Sequence, residues 1–424
     1  MQKLRNEFTS KKVSSILMST PVQTRAVPTA ESAYSTHSVS TTAAHEIAAS
    51  LAARCLTRPS VLVVFGSFHH RALFSDALEV FRDVLRPVHL LASTAEGVTH
   101  DARNIEEGPG LTAIALTLPH TSIHPFWFEL DDGPPSVWSD AFIRERITLP
   151  GDLGALRHAG ILMIADPRSI QLDEALTAID ASAGPMGAQI RGAVTGDRRH
   201  AGLHVLAVNR KITHTGLVGL SIFGDVEIGG IVSHAMTPVG ARLTITRAAR
   251  NEIIELNNRP ALTVMTEALH NFSAARRQLM AHGIWVSIEQ TCSTTASVHT
   301  GFLTREILRI DEARGSLLTA QLVREGSRVR FALMDPEHAH DDLDMALEAE
   351  QSHAKPAAVL VCSSASRQQE SFAAPDTEVE LIARRLGRTP SIGLHGVGAI
   401  GPAGNRAYAL DGMVSVITLR AHGS

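Results

Sequence analysis

Four side chains in this sequence stand where a small molecule could be held. Ser93, Thr94 and Glu96 fall in a short polar turn, Ser93-Thr94-Ala95-Glu96-Gly97, directly after the apolar run Val88 to Ala92. Short hydroxyl side chains at a strand end offer donors and acceptors at a sheet edge, and a carboxylate beside them supplies an anion for an amine. His234, in the β-rich, glycine-punctuated stretch Val226 to Thr246, adds an imidazole. Together on one concave surface near a domain junction, these four groups would suit a zwitterion such as an amino acid. Local turn chemistry also accounts for the hydroxyls, because Ser and Thr bond readily to nearby backbone.

Other patterns carry weaker chemistry. Cys362 ends an apolar strand and precedes Ser363-Ser364, so a nucleophile needs a base that the neighbouring sequence does not supply, and a buried thiol is the plainer reading. His338-Ala339-His340-Asp341-Asp342 has the look of a divalent-metal cluster, yet it follows Asp335-Pro336, an N-cap with proline at the first helical position, where acids favour the positive end of the helix dipole. We read it as a helix start and expect no metal site. His69-His70 reads as a solvated loop after a strand. Gly396-Val397-Gly398-Ala399-Ile400-Gly401 spells a dinucleotide-loop motif, but Pro402, Gly404 and Asp411-Gly412 leave no room for the helix that such a loop must open, so it reads as a turn.

The elements that must position these groups repeat along the chain. Val61 to Phe65 is a continuous apolar strand, a helix with Leu73, Ala77, Leu78, Phe81 and Leu85 on one face follows, Val88 to Ala92 runs into the polar turn, and Gly110 to Leu118 closes the unit. The order recurs from Ile161 to Ala165, through a helix with Leu172, Ala175, Leu176 and Ile179, to Ile190–Val194, Thr195-Gly196-Asp197 and Gly216 to Phe223. It recurs again from Val359 to Cys362, through Val379, Ile382 and Leu386, to Ser391–His395 and Gly412 to Leu419. The intervals from first strand to closing glycine agree within about six residues, which predicts three diverged copies of one αβ unit. Asn257-Asn258-Arg259-Pro260 reads as a junction, dividing the chain into a domain at 43–257 and another at 258–424. The Ser/Thr-rich stretch 1–42, with Lys3, Arg5, Lys11 and Lys12, reads as a disordered tail; a transit peptide and a true start at Met18 are the alternatives.

Composition narrows the function classes. With 39 Lys+Arg against 43 Asp+Glu, the net charge of -4 gives no long-range attraction for nucleic acid, and 4% aromatics leave few rings for base stacking. No run reaches the roughly 18 apolar residues of a membrane helix. Cys55, Cys292 and Cys362 are scattered and odd in number, which fits a reducing cytoplasm better than a disulfide framework. Nucleic acid and membrane are therefore not expected partners.

Several separated motifs, in order, resemble the FIST family: Val61 to Ser67, Ala92 to Val98, Gly219 to Gly224, Val232-Ser233-His234-Ala235-Met236-Thr237-Pro238-Val239-Gly240, Thr244 to Ala248 through Arg259-Pro260-Ala261-Leu262, and the closing Gly393 to Pro402. The resemblance spans roughly residues 45 to 420 and implies N-terminal and C-terminal FIST domains acting as a sensory module of intracellular signal transduction that binds small molecules such as amino acids. Some bacterial members are heme-binding nitric oxide sensors acting on histidine kinases, and animal members are substrate receptors of ubiquitin ligases. With no kinase, response-regulator or F-box segment in view, the resemblance implies a stand-alone sensor with a signalling protein partner. The chain departs from the family at Ala92-Ser93 and Met236-Thr237, which replace Gly-Cys and Cys-Arg, and at Ala399, which replaces Glu, so a pocket lined by those positions would be less charged.

The sequence thus predicts a two-domain α/β protein of repeated strand-helix-strand-turn-strand units around mixed sheets. Its expected function is a cytoplasmic, non-enzymatic sensor of an amino-acid-like ligand, without cofactor, that relays occupancy to a partner by a population shift. A heme-based nitric oxide sensor with His234 as axial ligand is the first alternative. A hydrolase or transferase using Cys362 or Ser93 is the second.

Overall fold

The computed structural model describes residues 27–149, 156–196, 204–270, 272–289, 302–320, 322–367 and 377–423; Cys292 and Asp197 lie outside them. The first unit runs β1 (Thr29–Ser35), α1 (Ser40–Arg54), β2 (Val61–Ser67), α2 (Phe74–Leu85), β3 (His89–Ala95), the hairpin β4 (Gly97–His100) and β5 (Arg103–Ile105), and β6 (Leu111–Thr117). The second repeats it as β7 (Thr121–Phe128), α3 (Asp140–Ile147), β8 (His158–Ala165), α4 (Leu172–Ala183), β9 (Ile190–Val194), the hairpin β10 (Leu206–Val208) and β11 (Lys211–Thr213), and β12 (Leu217–Gly224). The third opens with β13 (Val226–His234) and is then interrupted by β14 (Met236–Ala249), β15 (Glu252–Leu256), β16 (Arg259–Pro260), α5 (Ala261–His270), α6 (Ala274–Leu279), β17 (Trp285–Glu289), β18 (Phe302–Asp311), β19 (Ser316–Thr319) and β20 (Arg328–Met334). It resumes as α7 (Pro336–Glu350), β21 (Ala358–Ser364), α8 (Thr377–Leu386), β22 (Ser391–Gly396), the hairpin β23 (Gly398–Ala403) and β24 (Arg406–Leu410), and β25 (Met413–Ala421).

In each unit the two central strands are parallel and the closing strand is antiparallel to the first, as in the registers Val61↔His89, Ile161↔Ile190 and Val359↔Ser391. A strand buried on both faces must be apolar throughout, which is why VLVVFGS, HAGILMIA and AVLVCSS read as continuous runs. Alternate residues then divide between two cores. Leu62 and Val64 pack under α1 and α2, and Met163 under α4, while Val63, Leu162, Leu360 and Cys362 face a central core shared by all three sheets.

The sheets are completed by exchange. The hairpin of the second unit adds to the first sheet, that of the third to the second, and that of the first to the third, giving the orders β1-β6-β2-β3-β10-β11, β24-β23-β9-β8-β12-β7 and β13-β25-β21-β22-β4-β5. The cycle closes the three units into one ring. The insertion between β13 and α7 forms a fourth sheet, β14-β20-β17-β18-β19-β15-β16, which closes on itself through β14 and β15 into a small barrel.

The repeat expected from sequence is present and larger than expected, since each copy also owns a leading edge strand. One expectation is corrected. Residues 29–42 are not a disordered tail: β1 pairs with β6 from Thr29↔Thr117 to Ser35↔Leu111, its small residues fitting a sheet edge rather than announcing a strand. At the expected junction, Asn257-Asn258 is a tight turn within the barrel. Both residues are left-handed, at φ 49° and 61°, because they turn β15 into β16 inside the barrel, and the exchanged hairpins join the chain on either side of residue 258. Gly396 to Gly401 runs from the end of β22 into β23, with no helix after it.

Candidate functional site

The turn residues singled out in the sequence lie at the ring's centre, where β3, β9 and β22 end. Ser93 and Thr94 are fully buried, as is Thr195 at the matching place in the second unit. The Thr195 hydroxyl donates to the Thr94 carbonyl at 2.5 Å, Ser93 Oγ lies 3.1 Å from Thr195 Oγ1, and Thr94 Oγ1 accepts the Val205 N–H at 2.9 Å. His204 Nδ1 sits 3.1 Å from the same Thr94 carbonyl. Glu96 is half-buried and its N–H donates to the His395 carbonyl at 3.0 Å, tying the first unit to the third. Gly396 leaves the space through which the strands meet, since a Cβ there would fall 2.2 Å from the Val194 carbonyl oxygen. These hydroxyls hold strand ends together.

His234 is elsewhere. It ends β13, the edge strand of the third sheet, and its backbone N–H donates to Asp342 Oδ2 of α7 at 3.0 Å. The convergence of Ser93, Thr94 and Glu96 with His234 therefore fails, because three strands of the third sheet separate β13 from β4, which directly follows Glu96. His234 Nε2 faces Asp342 Oδ1 at 3.7 Å and its ring lies tilted 5.2 Å from that of His338, so α7 packs against it. His338 does begin a helix, as its sequence predicts, with Asp335 accepting the N–H groups of Glu337 and His338.

The candidate nucleophiles are enclosed too. Cys362 is buried and desolvation pushes its thiol up to about 12, so it stays protonated and away from substrate at neutral pH. Ser93 bonds to Thr195 and the Thr94 carbonyl rather than to a base. His395, also buried, donates from Nε2 to Asn104 Oδ1 (3.2 Å), and burial lowers its pKa to about 4. The family departures Met236 and Ala399 are likewise core residues.

A cleft of about 680 Å³ opens between the second unit and the barrel. Asp173, Glu174 and Thr177 of α4 form one wall, Arg406 and Tyr408 of β24 the next, and Glu289, Arg305 and the segment 322–328 the barrel side, with Ile288, Leu303 and Val323 as apolar lining. Arg305 is almost wholly buried at its base. One of its terminal nitrogens contacts both oxygens of Asp173 at 3.2 and 3.3 Å, and the other donates to the Thr304 and Ala409 carbonyls, bridging barrel and ring. Glu289 pairs with Arg242 at 2.8 Å, while Arg324, Arg328 and Arg406 stand exposed at the rim. Carboxylates and guanidiniums thus share one concavity. Sequence reading missed it because its walls come from α4, β17, β18 and β24, which no local spacing connects; the acidic first turn of α4 was the one visible sign.

Comparison with known proteins agrees with the resemblance read from the motifs. An uncharacterized protein of Mycobacterium tuberculosis (strain H37Rv) is 26% identical over 370 residues, covering 85% of this chain and 91% of that protein. One from Mycobacterium bovis is 24% identical over 363 residues, covering 85% and 90%. Among solved structures, a cyanuric acid hydrolase from A. caulinodans aligns over 93% of this chain and 99% of its own, at a TM-score of 0.34 and 11% identity. The FIST N domain matches residues 60–259 and the FIST C domain residues 261–402, meeting at β16. The chain belongs to the FIST family.

Proposed function

We propose that this protein is a sensor of a small zwitterionic ligand of the amino-acid class, seated in the cleft between the second unit and the barrel. The observation that carries the reading is the lining of that cleft: guanidiniums for a carboxylate, carboxylates for an amine, and an apolar strip between them for a short side chain. The ring-centre hydroxyls, which we expected to do this work, are already bonded to one another and to backbone. FIST domains are associated with small-ligand sensing, which agrees with a binding rather than a catalytic role.

The relay follows from who owns the walls. One side of the cleft is ring and the other barrel, so a ligand touching both stabilises the arrangement in which they stand closest, and a protein partner reading that arrangement responds to occupancy. A thermal-shift screen of amino acids and related metabolites tests this. A hit should raise the melting temperature, and Arg406→Gln should abolish that rise. A hit insensitive to Arg406→Gln and Glu174→Gln would remove the cleft from the reading. Hemin belongs in the same screen, because a stoichiometric Soret shift lost in His234→Ala would replace the amino-acid sensor by the heme sensor.

A further inference from the structure

The barrel joins the ring through two chain crossings, one at Ala235 and one at Asp335, and the Asp335 N–H donates to the Ala235 carbonyl at 2.7 Å to hold them side by side. His234 precedes the first crossing. His338 and Asp342 follow the second, one helical turn apart on α7, so the Asp335 cap that sets the first turn of the helix also aims both side chains at the end of β13. His234 Nε2 lies 3.7 Å from Asp342 Oδ1, the two imidazole centroids are 5.2 Å apart, and one ligand atom from each residue lies within 4.8 Å of the others. His338 Nε2 is buried with no hydrogen-bond partner among the described residues. A buried ring nitrogen in that state has lost its water without a replacement and so favours a ligand that occupies it.

We propose that His234, His338 and Asp342 bind a divalent transition-metal ion, Zn2+ being the ion that their chemistry fits best. Two imidazoles and one carboxylate are borderline donors suited to zinc, whereas calcium and magnesium take oxygen cages. Three protein ligands leave a fourth position for water. Zinc–ligand bonds of about 2.0–2.1 Å set tetrahedral ligand atoms about 3.4 Å apart, so the three atoms close by roughly 1.5 Å, a side-chain rotation. Asp342 keeps its other oxygen on the His234 N–H. His234 Nδ1 now accepts the Met236 N–H at a long 3.3 Å; coordination through Nε2 moves the ring proton to Nδ1 and gives up that contact. The ion would clamp the two crossings at the neck of the barrel.

The test uses the untagged full chain, stripped with a chelator. Titration with Co2+, read by its visible ligand-field bands, and with Zn2+ against a chromophoric chelator should each give one tight equivalent. His338→Ala should weaken that equivalent by more than about 100-fold, beyond the loss expected for an outer-shell partner. His338→Gln, which keeps the size of a half-exposed side chain, should do the same while preserving the circular dichroism and melting temperature of the unloaded protein. Absence of a tight equivalent in the wild-type chain overturns the proposal. So does an equivalent that survives in both folded variants, since it would lie at other residues.

Discussion

The centre of the ring and the cleft beside the barrel are both polar, and they differ in what their polar groups have left to offer. At the centre, Ser93, Thr94 and Thr195 are fully buried and bonded to strand-end backbone or to each other, so they lock the first two units at one point. In the cleft, Arg324, Arg328 and Arg406 reach solvent opposite half-buried Asp173, Glu174 and Glu289. Polar residue types at a strand end mark a place where the backbone must be satisfied; they mark a ligand site only when the fold leaves them unsatisfied and reachable.

If the centre is a lock, disturbing it should cost the most. Gly396→Ala puts a Cβ 2.2 Å from the Val194 carbonyl oxygen, between strands of two different units that cannot both move, so we expect a loss of about 3 kcal/mol or more and little soluble protein. Expression and melting temperature decide it, and a variant within a few degrees of wild type would show the junction to be loose. Cleft damage should be comparable only where the cleft meets the core. Asp173→Ala removes the carboxylate that Arg305 contacts while the guanidinium stays buried on two carbonyls, for an expected loss of about 3 kcal/mol by denaturant unfolding.

Acid offers a graded version of the same contrast. Burial lowers the pKa of His70, His158 and His395 to about 4 in each case, from an ordinary value near 6.5. Above about 6.5 they are neutral in both folded and unfolded chains, so they leave stability unchanged there. Between about 6.5 and 4 the unfolded chain takes up protons that the folded chain refuses, so stability falls as the pH falls through that window, by at most about 3 kcal/mol for each. His158 gives the cleanest handle because neither ring nitrogen has a hydrogen-bond partner among the described residues and the ring stacks on Phe223 at 4.2 Å. His158→Phe keeps the stacking and removes the proton acceptor. Its melting temperature should drop less than that of wild type between pH 7 and pH 4.5, and parallel drops would place the acid sensitivity elsewhere.

Much of the fold was legible because central strands must be apolar at every position. VLVVFGS and AVLVCSS could be little else, and their order around α2 and α8 exposed the repeat. The edge strand TAESAYS was not legible, because small alternating residues carry no hydrophobic signal and its partner β6 lies far along the chain. The hairpin exchange was invisible for the same reason: nothing in Gly97–His100 says that it pairs with β22 rather than with its own unit. The candidate sites followed suit. Superposing the copies would have found Thr195 beside Thr94, and the four-residue spacing of His338 and Asp342 was plain to see. That His234 faces them, 108 residues before Asp342, depends on a barrel closing between them.

The smallest expected effect on the empty protein separates the two regions most sharply. Glu174 stands in the cleft on the first turn of α4, and Glu96 is half-buried at the ring centre with its backbone bonded to His395. Glu174 is half-buried in the cleft wall, so Glu174→Gln should move the unliganded stability by no more than about 1 kcal/mol. A ligand present at 100 times its Kd stabilises by about 2.7 kcal/mol, which a thermal shift resolves easily. If the amine of a zwitterion sits in the cleft, Glu174→Gln should cut that shift severely and Glu96→Gln should leave it intact. The reverse result, with the shift lost in Glu96→Gln alone, would return the ligand to the ring centre. It would also require the hydroxyls of Ser93 and Thr195 to trade their present partners for the ligand.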